Sequence, residues 1–407
     1  MLWAKRKESS SFDGHHGRHQ SYANYGDSSE SDQPLNVTPC LRQNSPPRLK
    51  PGRIGWSKPL IYYIIPFLIW ATLCIWKALH AHKELKLLDY VFALPLILLA
   101  VLRGEVGTDT VNYIANAQYI IWWKDQGRTE FEFGYIFLVR LLATLTSDPR
   151  VVVALISLLA AIAFFAMLYM WENGQCIVSL VFIPFCFYAF TMNTLRMGIA
   201  FPLAAIAVLQ LKNKHFIRFY ILAFAAISIQ MTAVILLPML LLARGQLKVT
   251  WKGVLYGFFI GTAILYPAYY LLGDQMAYRI LIYSAGDGTP TSSSGFGPLL
   301  LSLVCSVVAL WFSERPHRYL GLIFLVIQVA FFGITQFSYA GLRFQGMALF
   351  AQLLALSYGA KRPIKRGQLA IVLLLCCSAF YLLARNIASG AGDVSAFIPY
   401  HFVWESQ

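Results

Sequence analysis

A long polar segment at residues 103–149 carries the carboxylates best placed for acid–base chemistry. Asp109 and Glu132 lie in this segment, between stretches of apolar residues. Partial burial of a carboxyl group raises its pKa towards the range of a general base. A simpler role also suits Asp109, because an aspartate directly before a helix caps its first turn, here the helix that would carry Tyr113. Both carboxylates are therefore candidate catalytic residues, with helix capping as the alternative for Asp109.

Arginines at or next to the ends of apolar blocks form a second set of candidates. A guanidinium group is planar, stays charged and binds a phosphate through two parallel hydrogen bonds. The alternative for any one of them is that its charge simply reaches the membrane interface. For Arg103, Arg196 and Arg343 together we favour an anion-binding site. The arginines in such positions are Arg103, Arg140, Arg196, Arg343 and Arg385.

Side chains in the segments between blocks are candidate contacts for a substrate. A tyrosine ring can pack against a ligand, although tyrosine is also common wherever a chain crosses a membrane interface. Arg279, in a second outer segment, is a further candidate for substrate binding. The candidate tyrosines are Tyr113, Tyr135, Tyr278, Tyr283 and Tyr400.

The sequence predicts neither a metal nor a cofactor. It contains no Asp-x-Asp motif, and its cysteines and histidines lack the spacing of zinc ligands. Most of the cysteines lie inside apolar blocks, where cysteine acts as a small hydrophobic residue.

The composition predicts that a polytopic membrane protein positions these residues. Of 407 residues, 58% are hydrophobic and 13% charged, against about 45–50% and about 25% in soluble domains. The net charge of +14 is spread over short segments, which is typical of topology signals rather than of a nucleic-acid-binding surface. Apolar blocks lie at about 60–79, 87–102, 150–170, 176–191, 197–211, 216–243, 251–272, 297–312, 319–336, 344–359 and 367–384. Lipid cannot satisfy open backbone groups, so we predict an all-α fold with about 11–13 transmembrane or half-membrane helices.

Basic segments between the blocks predict the orientation. The block at 216–243 lies between two basic segments, so we predict two short helices that meet near Gln230 and Met231. Segments assigned to the outside carry seven arginines but one lysine; they are 103–149, 192–196, 273–296, 337–343 and 385–407. The basic segments assigned to the cytoplasm are 212–218, 244–252 and 361–366.

Residues 1–59 form a polar tail that we predict to be disordered, because it lacks the apolar periodicity needed to bury a core. Residues 60–407 form a single predicted transmembrane domain. The orientation places the basic tail outside, against its charge. Either the block at 60–79 does not span the membrane or the protein begins downstream of Met1, and the sequence leaves both open.

Four short motifs occur in order near helix ends. Arg103 leads into Val-Gly-Thr-Asp-Thr-x-x-Tyr and then Glu-x-Gly-Tyr at residues 132–135. Leu-Arg-Met-Gly-Ile-Ala follows at 195–200, Gly-Leu-Arg-Phe at 341–344 and Pro-Tyr at 399–400. Over about residues 85–403 the chain thereby resembles the EpsG family of Wzy-type polysaccharide polymerases.

The resemblance implies an enzyme that transfers a growing glycan from undecaprenyl pyrophosphate onto a lipid-linked repeat unit. Such an enzyme has a glycosyltransferase-C-like arrangement of helices and works at the outer face of the bacterial plasma membrane. Its expected partners are the undecaprenyl-pyrophosphate-linked glycan and membrane lipid, with a flippase and a chain-length regulator as further possibilities, and no nucleic acid.

In that reaction Arg196 and Arg343 would bind the pyrophosphate, with Arg103 beside them. Asp109 and Glu132 would act near the acceptor hydroxyl, and the candidate tyrosines would stack on sugar rings. Two positions depart from the family. Gln230 stands where relatives have the histidine of Phe-His-x-Ser, so it cannot shuttle a proton and would only position the sugar. Met197 replaces a common glutamine.

Two other functions fit part of the pattern. A flippase or transporter usually carries ionisable groups near the membrane midplane, whereas the middles of these blocks are nearly free of charge. A glycan ligase that uses the same lipid carrier needs similar arginines, and the sequence barely separates it from a polymerase.

Overall fold

The fold is described from a computed structural model of the chain. The description covers residues 57–79, 85–107, 109–122, 131–171, 175–245, 295–312, 315–336, 338, 340–359, 366–388, 400 and 402. The predicted disordered tail, the apolar block at 251–272, most of the second outer segment and the candidates Arg279, Tyr278 and Tyr283 lie outside these residues.

The described chain is helical throughout, and its β-type pairing is limited to one isolated bridge between Arg103 and Phe402. The first half contains α1 (Ser57–Leu79), a 3-10 turn (Leu87–Ala93), α2 (Leu94–Val101), α3 (Thr110–Trp122), α4 (Phe133–Ala143), α5 (Pro149–Met170), α6 (Gln175–Phe182), a π turn (Ile183–Phe187) and α7 (Tyr188–Met192). The second half contains α8 (Leu195–Lys212), α9 (Phe216–Ile229), α10 (Ala233–Ala243), α11 (Phe296–Phe312), α12 (Arg315–Thr335), α13 (Ala340–Gly359) and α14 (Arg366–Ala388).

Four of these helices are long and apolar enough to cross a membrane. Shorter apolar helices accompany them, as expected where a helix stops inside the protein rather than in lipid. The prediction of an all-α polytopic membrane protein is therefore confirmed. The first apolar block is among the four, which favours a first helix that spans. The four stretches are Ile61–Leu79, Pro149–Met170, Leu195–Lys212 and Arg318–Thr335.

The predicted break in the block at 216–243 is confirmed. Helix α9 ends at Ile229, Gln230 has an extended backbone (φ −148°, ψ 109°), and α10 begins at Ala233. The segment 103–149, predicted as a large outer loop in which a helix carries Tyr113, contains α3 and α4.

Helix α8 lies at the centre of the fold and carries Arg196 in its first turn. It packs against α5, α7, α9 and α10, and nearly all of its residues after Arg196 are buried. Gly198 allows this packing, since a Cβ there would lie 2.3 Å from the carbonyl oxygen of Phe190 and 3.2 Å from Ala160. The backbone around Arg196 is therefore fixed by packing against several neighbouring helices.

The ends of the helices sort into two groups. Hydrogen bonds or backbone pairing connect several segments at one end of the bundle: residues 103–107 and 109, 131–132, 191–196, 230–232, Tyr400 and Phe402. We call this the motif end, because the sequence motifs meet there.

The opposite end has its own contacts. Lys77 forms an ion pair with Asp89, Trp171 donates a hydrogen bond to Ser357 (2.7 Å), and the Arg244 guanidinium lies 5.2 Å above the Trp171 ring. The charge pattern predicted this separation of the segments into two groups.

Candidate active site

The first motif forms a tight loop that docks on the segment between α7 and α8. Gly107 has a φ of +110°, and a Cβ there would lie 2.3 Å from the carbonyl oxygen of Met192. The Thr110 hydroxyl donates to the same oxygen (3.0 Å), and the Asp109 N–H donates to the Asn193 side chain (3.0 Å). Glycine is therefore required at 107 by both backbone conformation and contact.

Asp109 occupies the N-cap position of α3. Its carbonyl oxygen accepts the hydrogen bond of the Tyr113 N–H (2.9 Å), and the helix begins at the next residue. The side chain is half-buried and interacts electrostatically with Tyr113. The structure thus agrees with the capping position, while a role for Asp109 as base stays a prediction.

Arg196 and Glu132 form a largely buried ion pair. Their side chains are 17% and 15% exposed, and the pair links the start of α8 to the N-cap of α4. The second carboxylate oxygen of Glu132 accepts a weak hydrogen bond from the Met231 N–H (3.4 Å). The Arg196 guanidinium also lies 4.4 Å above the Phe131 ring. Two of the predicted catalytic residues, distant in sequence, therefore meet.

An aromatic cluster surrounds this ion pair. The Tyr113 ring lies 5.8 Å from Phe131 and 5.8 Å from Tyr135, and Phe131 lies 5.1 Å from Tyr135. Arg196 interacts electrostatically with Tyr113 and Tyr135. Burial raises the pKa of Tyr113 and nearby Arg196 opposes that rise; the hydroxyl is neutral at pH 7 and can donate a hydrogen bond.

Arg103 is a buried cation, and two of its donor nitrogens make no hydrogen bond to the described residues. It is 5% exposed, and one of its nitrogens donates to the carbonyl oxygens of Thr191 and Ala100. Within the described part of the chain its Nε and Nη2 have no hydrogen-bond partner. Burial lowers the pKa of Arg103 to about 10, so the group is still charged at pH 7. Burying a cation whose donors have no partners costs free energy when the protein folds. Such a group is well suited to bind an anionic ligand.

Arg103 and Arg196 belong to the same cluster. Tyr135 interacts electrostatically with both arginines, and Tyr113 is also a neighbour of both. Tyr135 is fully buried, and its hydroxyl has no hydrogen-bond partner among the described residues. Two positive charges thus flank two tyrosines at the motif end.

Tyr400, from the C-terminal Pro-Tyr motif, packs against the elements that form the site. The Tyr400 hydroxyl donates to the carbonyl oxygen of Leu99 (2.6 Å), and its ring stacks on Tyr62 at 5.5 Å. Phe402 pairs with the backbone of Arg103. Tyr400 therefore positions the loop of Arg103, and contact with a sugar stays a prediction.

Gln230 lies beside the ion pair in the break between α9 and α10. It is 5% exposed and its amide donates to the Thr232 hydroxyl (3.2 Å), while the neighbouring Met231 contacts Glu132. Arg343 is half-buried in the first turn of α13, after a close turn in which a Cβ on Gly341 would lie 2.3 Å from the Thr335 nitrogen. Its participation stays a prediction, as does that of Arg279.

The sequence did not single out Phe131, Thr191 or Asn193 as site residues. Asn193 is part of the segment leading to Arg196, so its position was the one available signal. Phe131 and Thr191 act through a ring face and a backbone oxygen, which no motif marks. The described residues include no group of three or more His, Cys, Asp or Glu that could hold a metal ion.

Comparison with known proteins agrees with the motifs at this site. The EpsG family model matches residues 86–402, from just before the 3-10 turn at Leu87 to Phe402. No curated protein and no solved structure matches the sequence. The match includes every described residue of the cluster around Arg196 and extends over most of the chain. The chain therefore belongs to the EpsG family, a family of Wzy-like polysaccharide polymerases.

Proposed function

We propose that this protein polymerises a surface polysaccharide by transferring a growing glycan from undecaprenyl pyrophosphate to a lipid-linked repeat unit. The observation that carries the proposal is the Arg196–Glu132 ion pair, held beside Arg103 at the motif end. Expelling a pyrophosphate requires cations directed at the leaving group and a base near the acceptor hydroxyl. Both kinds of group occur in this one cluster.

The arginines would bind the pyrophosphate and stabilise its departure. The Arg196 Nε and the Arg103 Nε and Nη2 are buried and have no hydrogen-bond partner within the described residues. Because Arg103 is held by the Thr191 carbonyl and Arg196 lies on the Phe131 ring, little reorganisation is needed when negative charge develops on the leaving phosphate. Arg343 would join them on the same group.

Glu132 would accept the proton of the acceptor hydroxyl. The acceptor oxygen forms a bond to the anomeric carbon, the bond from that carbon to the pyrophosphate oxygen breaks, and the hydroxyl proton passes to the carboxylate. Glu132 is paired with Arg196 in the structure. Binding of a pyrophosphate to Arg196 would weaken this pairing and leave Glu132 able to act as base, with Asp109 and Gln230 orienting the acceptor.

The reaction would take place at the outer face of the bacterial plasma membrane. Apart from the break at 230–232, the segments that form the motif end lie in or next to those assigned to the outside by counting from the basic cytoplasmic segments. At that face the substrate arrives from a flippase, and a chain-length regulator would limit the product.

Deleting the gene and analysing lipid-linked glycans on each leaflet tests the proposal. A polymerase defect leaves single repeat units on the outer leaflet, and complementation with the wild-type gene restores long chains. Single units held on the inner leaflet would instead indicate a flippase. Full-length polymer left on its lipid would indicate a ligase.

A further inference from the structure

An apolar groove runs along the bundle between α1 and α14, with α6 behind it. Its volume is about 520 Å³. The floor consists of buried residues, among them Ala71 and Cys376, whose small side chains leave the space open. The rims are exposed, with Leu68 on α1 at 53% and Tyr381 on α14 at 68%.

The groove follows the direction of the helices. On α1 its lining extends from Ile64 to Ile75, about 16 Å at the rise of an α-helix. That length is about half of the roughly 30 Å hydrocarbon core of a bilayer. On α14 the lining runs in the opposite direction, from Ala384 to Leu373. The groove is therefore long and shallow, the shape that suits an extended hydrocarbon chain rather than a compact ligand.

One end of the groove lies close to the candidate active site. Tyr63, which directly precedes Ile64, interacts electrostatically with Arg103 and lies 6.1 Å from the Tyr400 ring. Arg103 is the buried cation whose Nε and Nη2 have no partner within the described residues. The groove therefore ends near a candidate anion-binding group that does not itself line it.

We propose that this groove binds the isoprenoid chain of the lipid carrier, while Arg103 binds the phosphate attached to it. The inference rests on the proposed polymerase function, and it assigns the isoprenoid chain of the substrate to the groove between α1 and α14. A single groove suits a lipid with one hydrocarbon chain, whereas an ordinary phospholipid has two. The charge at its end complements a phosphate directly bonded to that chain.

Photo-crosslinking of the full-length protein in nanodiscs tests the assignment. A benzophenone amino acid replaces Leu68 on the groove rim or, as the matched control, Val329 on α12, which is equally exposed at 53%. The probe is radiolabelled undecaprenyl phosphate. We expect labelling at position 68 that excess unlabelled undecaprenyl phosphate displaces and phosphatidylglycerol does not. Equal labelling at both positions, or equal displacement by phosphatidylglycerol, would overturn the proposal.

A filling substitution gives a second readout. Ala71→Phe should raise the KM for the lipid-linked repeat unit about tenfold with little change in kcat, because about two methylene groups of the chain lose their burial. Val329→Phe should leave both constants unchanged. If Arg196→Ala abolishes polymerisation while Ala71→Phe does not change KM, the groove assignment fails and the polymerase function stands. If Arg196→Ala also polymerises normally, the proposed function fails.

Discussion

At the scale of single residues, a contribution to stability does not explain why Arg196 pairs with Glu132. Both side chains are largely buried, and removing two charges from water costs several kcal/mol that their attraction only partly returns. A largely apolar pair of similar size would be at least as stable. The pair is better explained by a need for a cation and a carboxylate at one point.

Glu132→Gln tests the role of the carboxylate. The amide keeps the size of the side chain but cannot accept a proton, so kcat should fall about 10²–10⁴-fold, the usual contribution of a general base. The measurement is the initial rate of chain growth on purified lipid-linked repeat units. Glu105→Gln is the control, since Glu105 is 48% exposed and its 3.3 Å contact with Arg150 is a surface ion pair. Equal loss in both variants would contradict the assignment.

Arg103→Lys tests whether a planar guanidinium is needed. A lysine cannot contact the Thr191 carbonyl and still present two more donors side by side, so kcat/KM should fall about 10–100-fold. The matched control is Arg140→Lys, an exposed arginine on α4 that should be unaffected. Wild-type kinetics in Arg103→Lys would show that only positive charge matters there.

The residue types of the site could be predicted, but their pairing could not. Arginines at helix ends and carboxylates in a polar segment indicated which side chains have the right chemistry. Nothing in the sequence indicates that Glu132 lies against Arg196, because that contact depends on how α4 packs beside α8. Tyr400 shows the converse, since a residue predicted to contact sugar is engaged by Leu99 and Tyr62.

At the scale of elements, the break between α9 and α10 brings backbone into the site. Helix α4 packs against α9 at Gly134, where a Cβ would lie 2.3 Å from the Ser228 hydroxyl and 2.7 Å from its backbone. This close approach places Glu132 beside Met231. The position of the carboxylate therefore depends on a glycine two residues away.

Gly134→Ala should disturb the site without changing any charged group. Overpacking of this kind costs about 1–3 kcal/mol, so we expect a lower melting temperature together with slower polymerisation. Thermal unfolding of the detergent-purified protein and chain-growth rates measure the two effects. Gly346→Ala, on α13 with no atom within 4 Å of the added carbon, is the control. Unchanged stability and rate in Gly134→Ala would contradict the described contact.

The break itself could be predicted because of charge and length. A largely apolar block of 28 residues between two basic segments cannot cross once and satisfy the positive-inside rule. A helix that carries Tyr113 was expected, and it is α3. Helix α4 was missed because its apolar run, Phe133–Ala143, is only 11 residues long and too short to span a bilayer. The π turn at Ile183–Phe187 was also missed, since its residues are as apolar as their neighbours.

At the scale of the whole molecule, the connections between helices separate into two ends. The motif end carries the site, and the opposite end holds the Lys77–Asp89 ion pair and the Arg244–Trp171 contact. For the segments that the structure describes, charge and the order of the apolar blocks predicted this separation. Which end faces outside is a consequence of the proposed function and can be measured directly.

Cysteine labelling of intact cells measures that orientation. In a chain whose native cysteines are replaced, Ser147→Cys should react with an impermeant maleimide from outside, while Asn213→Cys should react only after permeabilisation. Both positions are exposed and they lie between helices at opposite ends. The reverse pattern would place the motif end in the cytoplasm and contradict a polymerase that acts on the outer leaflet.

The central claim is that Arg196 is part of the machinery that expels the pyrophosphate. The measurement is chain growth by the purified full-length protein in nanodiscs, supplied with lipid-linked repeat units. The wild-type protein should produce a ladder of chain lengths. Arg196→Ala should remain folded but lose about 10²–10³-fold in rate, as expected for removal of one donor that stabilises developing charge, and Arg196→Lys should restore only part of it. A wild-type ladder from Arg196→Ala would contradict the account.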